Sequence, residues 1–240
     1  DVAHEQKLIA EEKTSEILDS LNYAKRLQQA ILPSHRLVKE WLTESFILYK
    51  PKDIVSGDFY WMETVTPTGK DEKQLILFAA ADCTGHGVPG AMVSVVCANA
   101  LNRSVKEFGL TEPGLILDKV SELVIKAFEK SDDEIKDGMD IALCALEMSS
   151  KTLYYSGANN SLYRITNRIK GEDLSLKSSF TETHKLVEYK ATKRPIGAHV
   201  NDTIFETQEI KLEPGDSIYL FSDGFADQFG GEKGKKLKSS

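Results

Sequence analysis

The pattern of hydrophobic and polar positions changes at Pro33. Residues 4–32 contain neither glycine nor proline and are rich in Glu, Lys, Gln and Leu, which is typical of a helix. Positions at alternating spacings of four and three form a heptad stripe along it: Ile17, Leu21, Ala24, Gln28 and Ile31, widened by Leu18 and Leu27. Two interpretations stay open, a helix that packs on its own domain and a linker helix that dimerises or transmits a signal. We therefore expect a helical linker over residues 1–33 and a second unit over residues 34–240.

Beyond Pro33 the pattern is typical of strands and then of two helices. Strands are predicted at residues 46–49, 58–62 and 75–81, with the polar residues 64–73 as a hairpin loop. The run 75–81 is apolar on both faces, which indicates a central strand. A glycine-rich turn at 85–90 leads into a helix that is apolar nearly all round, so we expect it to be buried: Ala91, Met92, Val95, Val96, Ala98 and Ala100. An amphipathic helix beginning near Pro113 is predicted to bury one face: Leu117, Val120, Leu123, Val124 and Phe128.

After Asp140 the sequence returns to strands. They are predicted at residues 141–148, 152–156, 161–165, 203–210 and 217–221. The polar residues 167–185 are expected to form a mobile loop or a long hairpin. Strand clusters on either side of a helical pair indicate an α+β domain with antiparallel sheets and helices packed outside them.

Composition narrows the class of protein. A chain of 240 residues with 41% hydrophobic residues is long enough for one large domain with a packed core, with or without an appendage. Its 30 basic and 37 acidic residues give a net charge of −7, which argues against a nucleic-acid-binding face. The cysteines are odd in number and follow no metal-binding spacing, so we expect reduced thiols and a cytoplasmic location: Cys83, Cys97 and Cys144. No apolar run reaches the ~18 residues of a membrane span, and no signal peptide is visible.

Three aspartates carry the candidate chemistry. Asp58, Asp82 and Asp223 each stand at the edge of an apolar, strand-like run and close to glycine. A buried carboxylate is costly unless a cation neutralises it, and neither Arg nor Lys adjoins any of the three in sequence. Oxygen ligands favour Mg²⁺ or Mn²⁺ over Zn²⁺, so the pattern indicates a divalent metal centre. The one pair with Cys-x5-Arg spacing, Cys97 and Arg103, falls in the predicted apolar helix rather than in a phosphate-binding loop. The sequence also contains no GxxxxGK[ST] motif and no HExxH zinc pair, which argues against other phosphatase, nucleotide and zinc enzymes.

The motifs around these aspartates occur in a recognisable order. They are Ser-Gly-Asp58-Phe-Tyr, Asp82-Cys-Thr-Gly-His-Gly-Val-Pro-Gly-Ala, Ser156-Gly-Ala-Asn-Asn, Lys193-Arg-Pro-Ile-Gly, Pro214-Gly-Asp and Phe221-Ser-Asp-Gly. From about Leu32 onward the chain resembles the metal-dependent serine/threonine protein phosphatases of the PPM superfamily, in the SpoIIE/RsbU-like bacterial branch.

The resemblance implies a fold and a ligand set. It implies an αββα sandwich of two mostly antiparallel sheets flanked by helices, here preceded by the N-terminal helix, with two Mn²⁺ or Mg²⁺ ions at one end. By position, Asp82 matches the carboxylate that bridges both ions, and the main-chain carbonyl of Cys83 matches the backbone ligand. Asp58 and Asp223 match acids that each serve one ion. The three aspartates would thus be the catalytic metal ligands.

The resemblance also implies an activity and partners. The domain would hydrolyse phosphoserine or phosphothreonine on a bacterial regulatory protein, a phosphorylated STAS-type anti-anti-sigma factor, and so regulate a sigma factor. It would be the output domain of a signalling protein with an upstream sensor, and the N-terminal helix would serve as a route to a homodimer. The alternative is a catalytically silent phosphoprotein-binding module with the same fold; a different metallohydrolase is a third hypothesis.

One departure from the family pattern bears on activity. The family normally finishes with a further strand carrying an Asp-Asp pair, one acid of which completes the metal site. This sequence stops at Lys-Leu-Lys-Ser-Ser240 before such a segment, so we expect a domain cut short at its C-terminus. Whether this fragment is active then stays open.

Several neighbouring residues receive weaker assignments. His86 stands four residues after Asp82, where eukaryotic relatives carry a histidine at two, so a turn-stabilising role is favoured over general acid catalysis. For Asp140, a strand cap is favoured over a group that supports the metal ligands. Asn159 and Asn160 are expected to be turn residues, and the Cys83 thiol an inert buried group.

Overall fold

The structure is a computed structural model that describes residues 2–66, 74–129, 137–167, 177–181, 183–197, 203–224, 226–230 and 235–236. Four helices lie in these ranges: α1 (Val2–Ile31), α2 (His35–Trp41), α3 (Gly87–Lys106) and α4 (Pro113–Phe128). The strands are β1 (Phe59–Val65), β2 (Leu75–Cys83), β3 (Gly138–Glu147), β4 (Thr152–Ala158), β5 (Leu162–Thr166), β6 (Lys177–Phe180), β7 (Lys185–Tyr189), β8 (Ile196–Gly197), β9 (Gln208–Lys211), β10 (Ser217–Tyr219), β11 (Phe229–Gly230) and β12 (Lys235–Lys236).

Two antiparallel sheets form the body of the fold. The first has the strand order β1-β2-β3-β4-β9, with β8 also paired to β3, and the second has the order β10-β5-β7-β6. Strand β2 is hydrogen-bonded to β1 on one side and to β3 on the other, as its apolar faces predicted. The strands β11 and β12 form a separate pair. The predicted α+β class with two antiparallel sheets and helices is confirmed, as is the N-terminal helix.

Two large apolar cores follow from this layering, and a smaller third cluster is formed by Val38, Met62 and Ile76. Helices α3 and α4 pack on the outer face of the first sheet, where Leu101 and Val120 contact the β2 and β3 side chains. Between the sheets, Tyr155 of the first sheet packs with Leu162 of the second. Both cores draw alternate residues of the same strands, because successive side chains of a strand point to opposite faces.

The N-terminal helix is packed at one end and exposed at the other. Residues 2–20 of α1 are exposed throughout, and Ile17 and Leu18 of the heptad stripe are 60% and 44% exposed. Nearer its end the stripe turns toward the domain: Ile31 packs against the main core and Gln28 is buried. The interpretation of a helix that packs on its own domain therefore holds for the last third of α1.

Some predicted elements differ from the structure. Met92 and Val95 of α3 are 65% and 41% exposed, so the expectation of a helix buried all round is wrong. A packed helix covers only the side that meets the sheet, and the small residues Ala91 and Ala98 occupy that side. Residues 46–49 and 203–207 are not assigned as strands in the described part of the chain. The long-hairpin alternative for 167–185 agrees with the antiparallel pair β6 and β7, while residues 168–176 lie outside the described ranges.

A buried ion pair fixes the turn before β10. The guanidinium of Arg164 lies 2.5 Å from the carboxylate of Asp216, whose side chain is 1% exposed. The same carboxylate accepts the backbone N–H of Glu213 at 2.8 Å. The pair thus ties the turn at Pro214 and Gly215 to strand β5. Among the described helices, none combines the length and the apolar character that crossing a bilayer requires.

Candidate metal centre

Strand β2 brings Asp82 to the end of the first sheet. Asp82 pairs in register with Asp140 of β3, and the next residue, Cys83, pairs with Met139. The Cys83 side chain is 3% exposed, and its neighbour Cys97, together with burial, raises the pKa of its thiol well above the ordinary value. This burial agrees with the prediction of an inert thiol. The main-chain carbonyl of Cys83 lies against the segment that carries Asp58, 3.0 Å from the place a Cβ at Gly57 would occupy.

Asp58 is held by three hydrogen bonds immediately before β1. Its N–H donates to the Ser56 hydroxyl at 3.1 Å, and its carbonyl accepts the Tyr49 hydroxyl at 3.1 Å. Its carboxylate accepts the hydroxyl of Ser222 at 2.9 Å, across 164 positions of sequence. This last bond joins the Asp58 segment to the segment that carries Asp223.

Asp223 lies in a turn after β10. Its carbonyl accepts the N–H of Asp227 at 2.9 Å, which closes a single turn. Gly224, the following residue, lies against Asp58: a Cβ at this position would be 3.6 Å from an Asp58 carboxylate oxygen. The three aspartates therefore meet at one end of the stacked sheets, although they come from three separate parts of the sequence.

The carboxylates interact unfavourably in the absence of a cation. Burial, hydrogen bonding to Asp58 and the negative charges of Asp58 and Asp223 raise the pKa of Asp82 from 3.8 to about 8. Among the described residues, no lysine or arginine forms an ion pair with any of the three. A cluster of acids with no cationic partner fits a divalent cation, which such oxygen ligands prefer.

The acidic side chains lie close together but are not arranged as metal ligands in this structure. In the described part of the chain, no three acidic, His or Cys side chains are already arranged to hold a metal ion. The carboxyls of Asp58 and Asp223 nevertheless lie near enough to Asp82 to raise its pKa. The chemistry of the donor set fits metal binding.

Three glycines allow the loops to approach the centre closely. A Cβ at Gly57 would be 2.7 Å from the carbonyl oxygen of Gly85 and 3.0 Å from that of Cys83. Gly85 itself has a positive φ of 84°, which favours glycine. Gly90 packs behind it, and a Cβ there would be 3.2 Å from the Cα of Gly57. The Asp58 segment therefore rests directly on the carbonyls that follow β2.

Asp140 is part of this centre, and its favoured interpretation as a strand cap is wrong. It is the third residue of β3, directly opposite Asp82, rather than a residue at the strand end. The amide of Asn159 donates to its carboxylate at 2.7 Å. The pKa of Asp140 is raised overall. Burial is the largest cause, the hydrogen bond from Asn159 opposes it, and the negative charge of Asp223 adds to it. An acid inside an apolar strand was the signal that could have identified it.

Other residues singled out from the sequence lie around this core of the site. Asn159 has a positive φ of 58°, consistent with its predicted place in a turn, and its side chain also orients Asp140. The carbonyl of Asn160 accepts the Tyr155 hydroxyl at 2.7 Å. His86 is 80% exposed, with its Nδ1 3.2 Å from the Asp53 carboxylate. That contact supports the turn-stabilising role over acid catalysis.

The two stacked sheets, the helices on the first sheet and the acids at one sheet end define the PP2C-type phosphatase fold. The family model "Stage II sporulation protein E (SpoIIE)" matches residues 72–239. The chain therefore belongs to the SpoIIE family, in the RsbU-like branch of the PPM phosphatases. No curated protein sequence matches the chain significantly.

Solved structures agree with this assignment. The SiaA-PP2C domain of Pseudomonas aeruginosa is 31% identical, with a TM-score of 0.73 over 95% of this chain and 80% of that one. The RsbU and RsbW domains of a Mycobacterium tuberculosis protein share the fold at 19% identity and a TM-score of 0.50. That match covers 75% of this chain and 42% of the other, so the chain spans less than half of that relative.

Proposed function

We propose that this protein is a Mn²⁺- or Mg²⁺-dependent phosphatase that hydrolyses phosphoserine or phosphothreonine in another protein. The observation that carries the proposal is the convergence of three acidic segments: Ser222, next to Asp223, donates to the Asp58 carboxylate, and the negative charges of Asp58 and Asp223 raise the pKa of Asp82. Membership of the SpoIIE family supports the same activity. The reaction adds water across the phosphoester and releases a hydroxyl side chain and inorganic phosphate.

Each proposed ligand has a distinct task. Asp82 would serve both proposed cations, Asp58 and Asp223 would each serve one of them, and the main-chain carbonyl of Cys83 would supply a further oxygen. When bound, a pair of such cations supplies a water of lowered pKa and neutralises the charge on the phosphoryl oxygens. The chain's own contribution is to place these oxygens. Ser222 donates to Asp58 and so fixes its orientation.

The setting of this activity is also a proposal. The substrate would be a phosphorylated STAS-type anti-anti-sigma protein, and its dephosphorylation in the cytoplasm would regulate a sigma factor. Residues 1–33 would link an upstream sensor to the catalytic domain of residues 34–240. The exposed stripe positions Ile17 and Leu18, with Leu27 at 57% exposure, support a homodimer through α1.

A direct assay separates this proposal from a catalytically silent binding module. The chain is stripped with EDTA, and hydrolysis of p-nitrophenyl phosphate and of a phosphorylated STAS domain is followed during Mn²⁺ and Mg²⁺ titrations. We expect metal-dependent turnover that Asp82→Asn abolishes and that Asp19→Asn, at an exposed site on α1, leaves unchanged. Binding of the phosphorylated STAS domain without phosphate release would favour the silent module.

A further inference from the structure

Gln28 is an unusual residue for its position. It is the buried residue of α1, with 5% of its surface exposed, and it occupies a stripe position that an apolar side chain would fill. All of its polar atoms are used. Its Oε1 accepts the N–H of Ser56 at 3.0 Å, and its Nε2 donates to the Ser56 carbonyl at 2.5 Å and to the Ser94 hydroxyl at 3.0 Å. The side-chain amide thus pairs with one backbone residue as a neighbouring strand would.

Ser56, to which Gln28 is hydrogen-bonded, lies two residues before the proposed metal ligand Asp58. Ser56 is 8% exposed, and its hydroxyl accepts the N–H of Asp58 at 3.1 Å. Between them, Gly57 leaves no room for a Cβ beside the carbonyls of Cys83 and Gly85. A displacement of Ser56 would therefore move Asp58 and also disturb the carbonyl of Cys83.

We propose that Gln28 is a positioning residue for the metal centre, holding Ser56 so that Asp58 reaches its place beside Asp82. This inference rests on the proposed function, because it takes Asp58 as a metal ligand. A leucine at position 28 would keep the apolar stripe but leave the N–H and C=O of Ser56 without their partners. A buried N–H or C=O without a hydrogen bond is costly, so the Ser56 segment would shift until both groups were hydrogen-bonded again.

The test measures Mn²⁺ affinity and local exchange on the full chain. Isothermal titration calorimetry of the EDTA-stripped protein is compared for wild type, Gln28→Leu and the matched control Gln29→Leu, whose side chain is exposed on the same helix. We expect Gln28→Leu to weaken Mn²⁺ binding by about 10- to 100-fold, the range typical when a supporting hydrogen bond behind a ligand is lost. Amide hydrogen exchange at Ser56 and Asp58 should accelerate, kcat should recover at saturating Mn²⁺, and the control should behave as wild type.

A second variant distinguishes positioning from packing. Ser94→Ala removes the contact of Gln28 with α3 but keeps its pairing with Ser56, so it should lower the melting temperature without changing Mn²⁺ affinity. Equal loss of affinity in Ser94→Ala and Gln28→Leu would overturn the proposal, as would unchanged affinity and exchange in Gln28→Leu. If Gln28→Leu does not fold, Gln28→Asn, whose amide is one methylene shorter and cannot reach both backbone groups of Ser56 in the same way, decides by the same titration. Failure of the wild type to bind Mn²⁺ would instead refute the proposed function.

Discussion

Replacing Asp82 by asparagine should stabilise the metal-free protein while it destroys the metal site. In the folded protein, Asp82 is partly buried between Asp58 and Asp223, and its pKa rises to about 8. In the unfolded chain the carboxyl returns to about 3.9. Asparagine keeps the shape of the side chain and removes the group whose ionisation the folded state resists.

The sign and size of the effect follow from proton linkage. Between about pH 4 and pH 8 the folded protein binds a proton at Asp82 that the unfolded chain has lost, so stability falls as pH rises through this window. Each unit of pKa corresponds to about 1.4 kcal/mol, and the change from 3.8 to about 8 sets a ceiling on the order of 6 kcal/mol. Because Asp82 interacts with two neighbouring carboxyls and is partly solvated, we expect about 1–3 kcal/mol at pH 9.

Urea unfolding in EDTA from pH 4 to pH 9 measures this difference. The Asp82→Asn variant should match wild type near pH 4 and become progressively more stable than wild type up to about pH 8, where the difference levels off. Asp19→Asn on the exposed part of α1 should show no such trend. With Mn²⁺ added the order should reverse, because only wild type gains binding energy. A variant that is less stable than metal-free wild type at every pH would refute the idea of a strained acidic cluster.

Three further substitutions test the parts that surround the ligands. Ser222→Ala removes the hydroxyl that orients Asp58, and calorimetry should show Mn²⁺ affinity about 10-fold lower with kcat recovered at high metal. Gly57→Ala would place a Cβ 2.7 Å from the Gly85 carbonyl, so thermal unfolding should show a loss of about 1–3 kcal/mol together with weaker Mn²⁺ binding. Asp216→Asn removes the negative charge beside Arg164, whose side chain is 15% exposed and also interacts with Tyr189, so urea unfolding should show a loss of about 1–3 kcal/mol with Mn²⁺ affinity unchanged.

The three aspartates could be found from the sequence because each combines two local signals. An acid at the end of an apolar run is conspicuous, and a glycine within three residues indicates close backbone packing. The position of β2 was likewise predictable from local sequence, because seven consecutive apolar residues indicated an interior strand. Local pattern is sufficient where the chemistry and the secondary structure lie in the same few residues.

The supporting residues could not be found in this way. Ser222 reaches Asp58 from 164 positions away, and Gln28 reaches Ser56 from 28 positions away. Both contacts depend on tertiary packing, which a single sequence does not encode locally. Asp140 depends on the register of β3 against β2, and a shift of one residue would place it on the other face.

The exposed apolar residues of α3 show a different limit. A run of apolar residues on a helix predicts burial only if another element covers each side. The described helix α1 contacts α3 near its own C-terminal end, and Met92 and Val95 remain exposed. Periodicity states which residues share a face; it does not state how much of that face another helix covers.

Because β2 is an interior strand, the three aspartates of the centre differ in mobility. Asp82 pairs with Asp140 of β3, and β2 is also paired with β1 up to Ala81, so moving Asp82 requires local disruption of the sheet. Asp58 and Asp223 lie on irregular segments outside the β-strands, so they can move without breaking hydrogen bonds between strands. Loss of the proposed cations should therefore increase the mobility of Asp58 and Asp223 while Asp82 stays in place. Asp82 would then be the first ligand for a returning cation, and the other two aspartates would close around it.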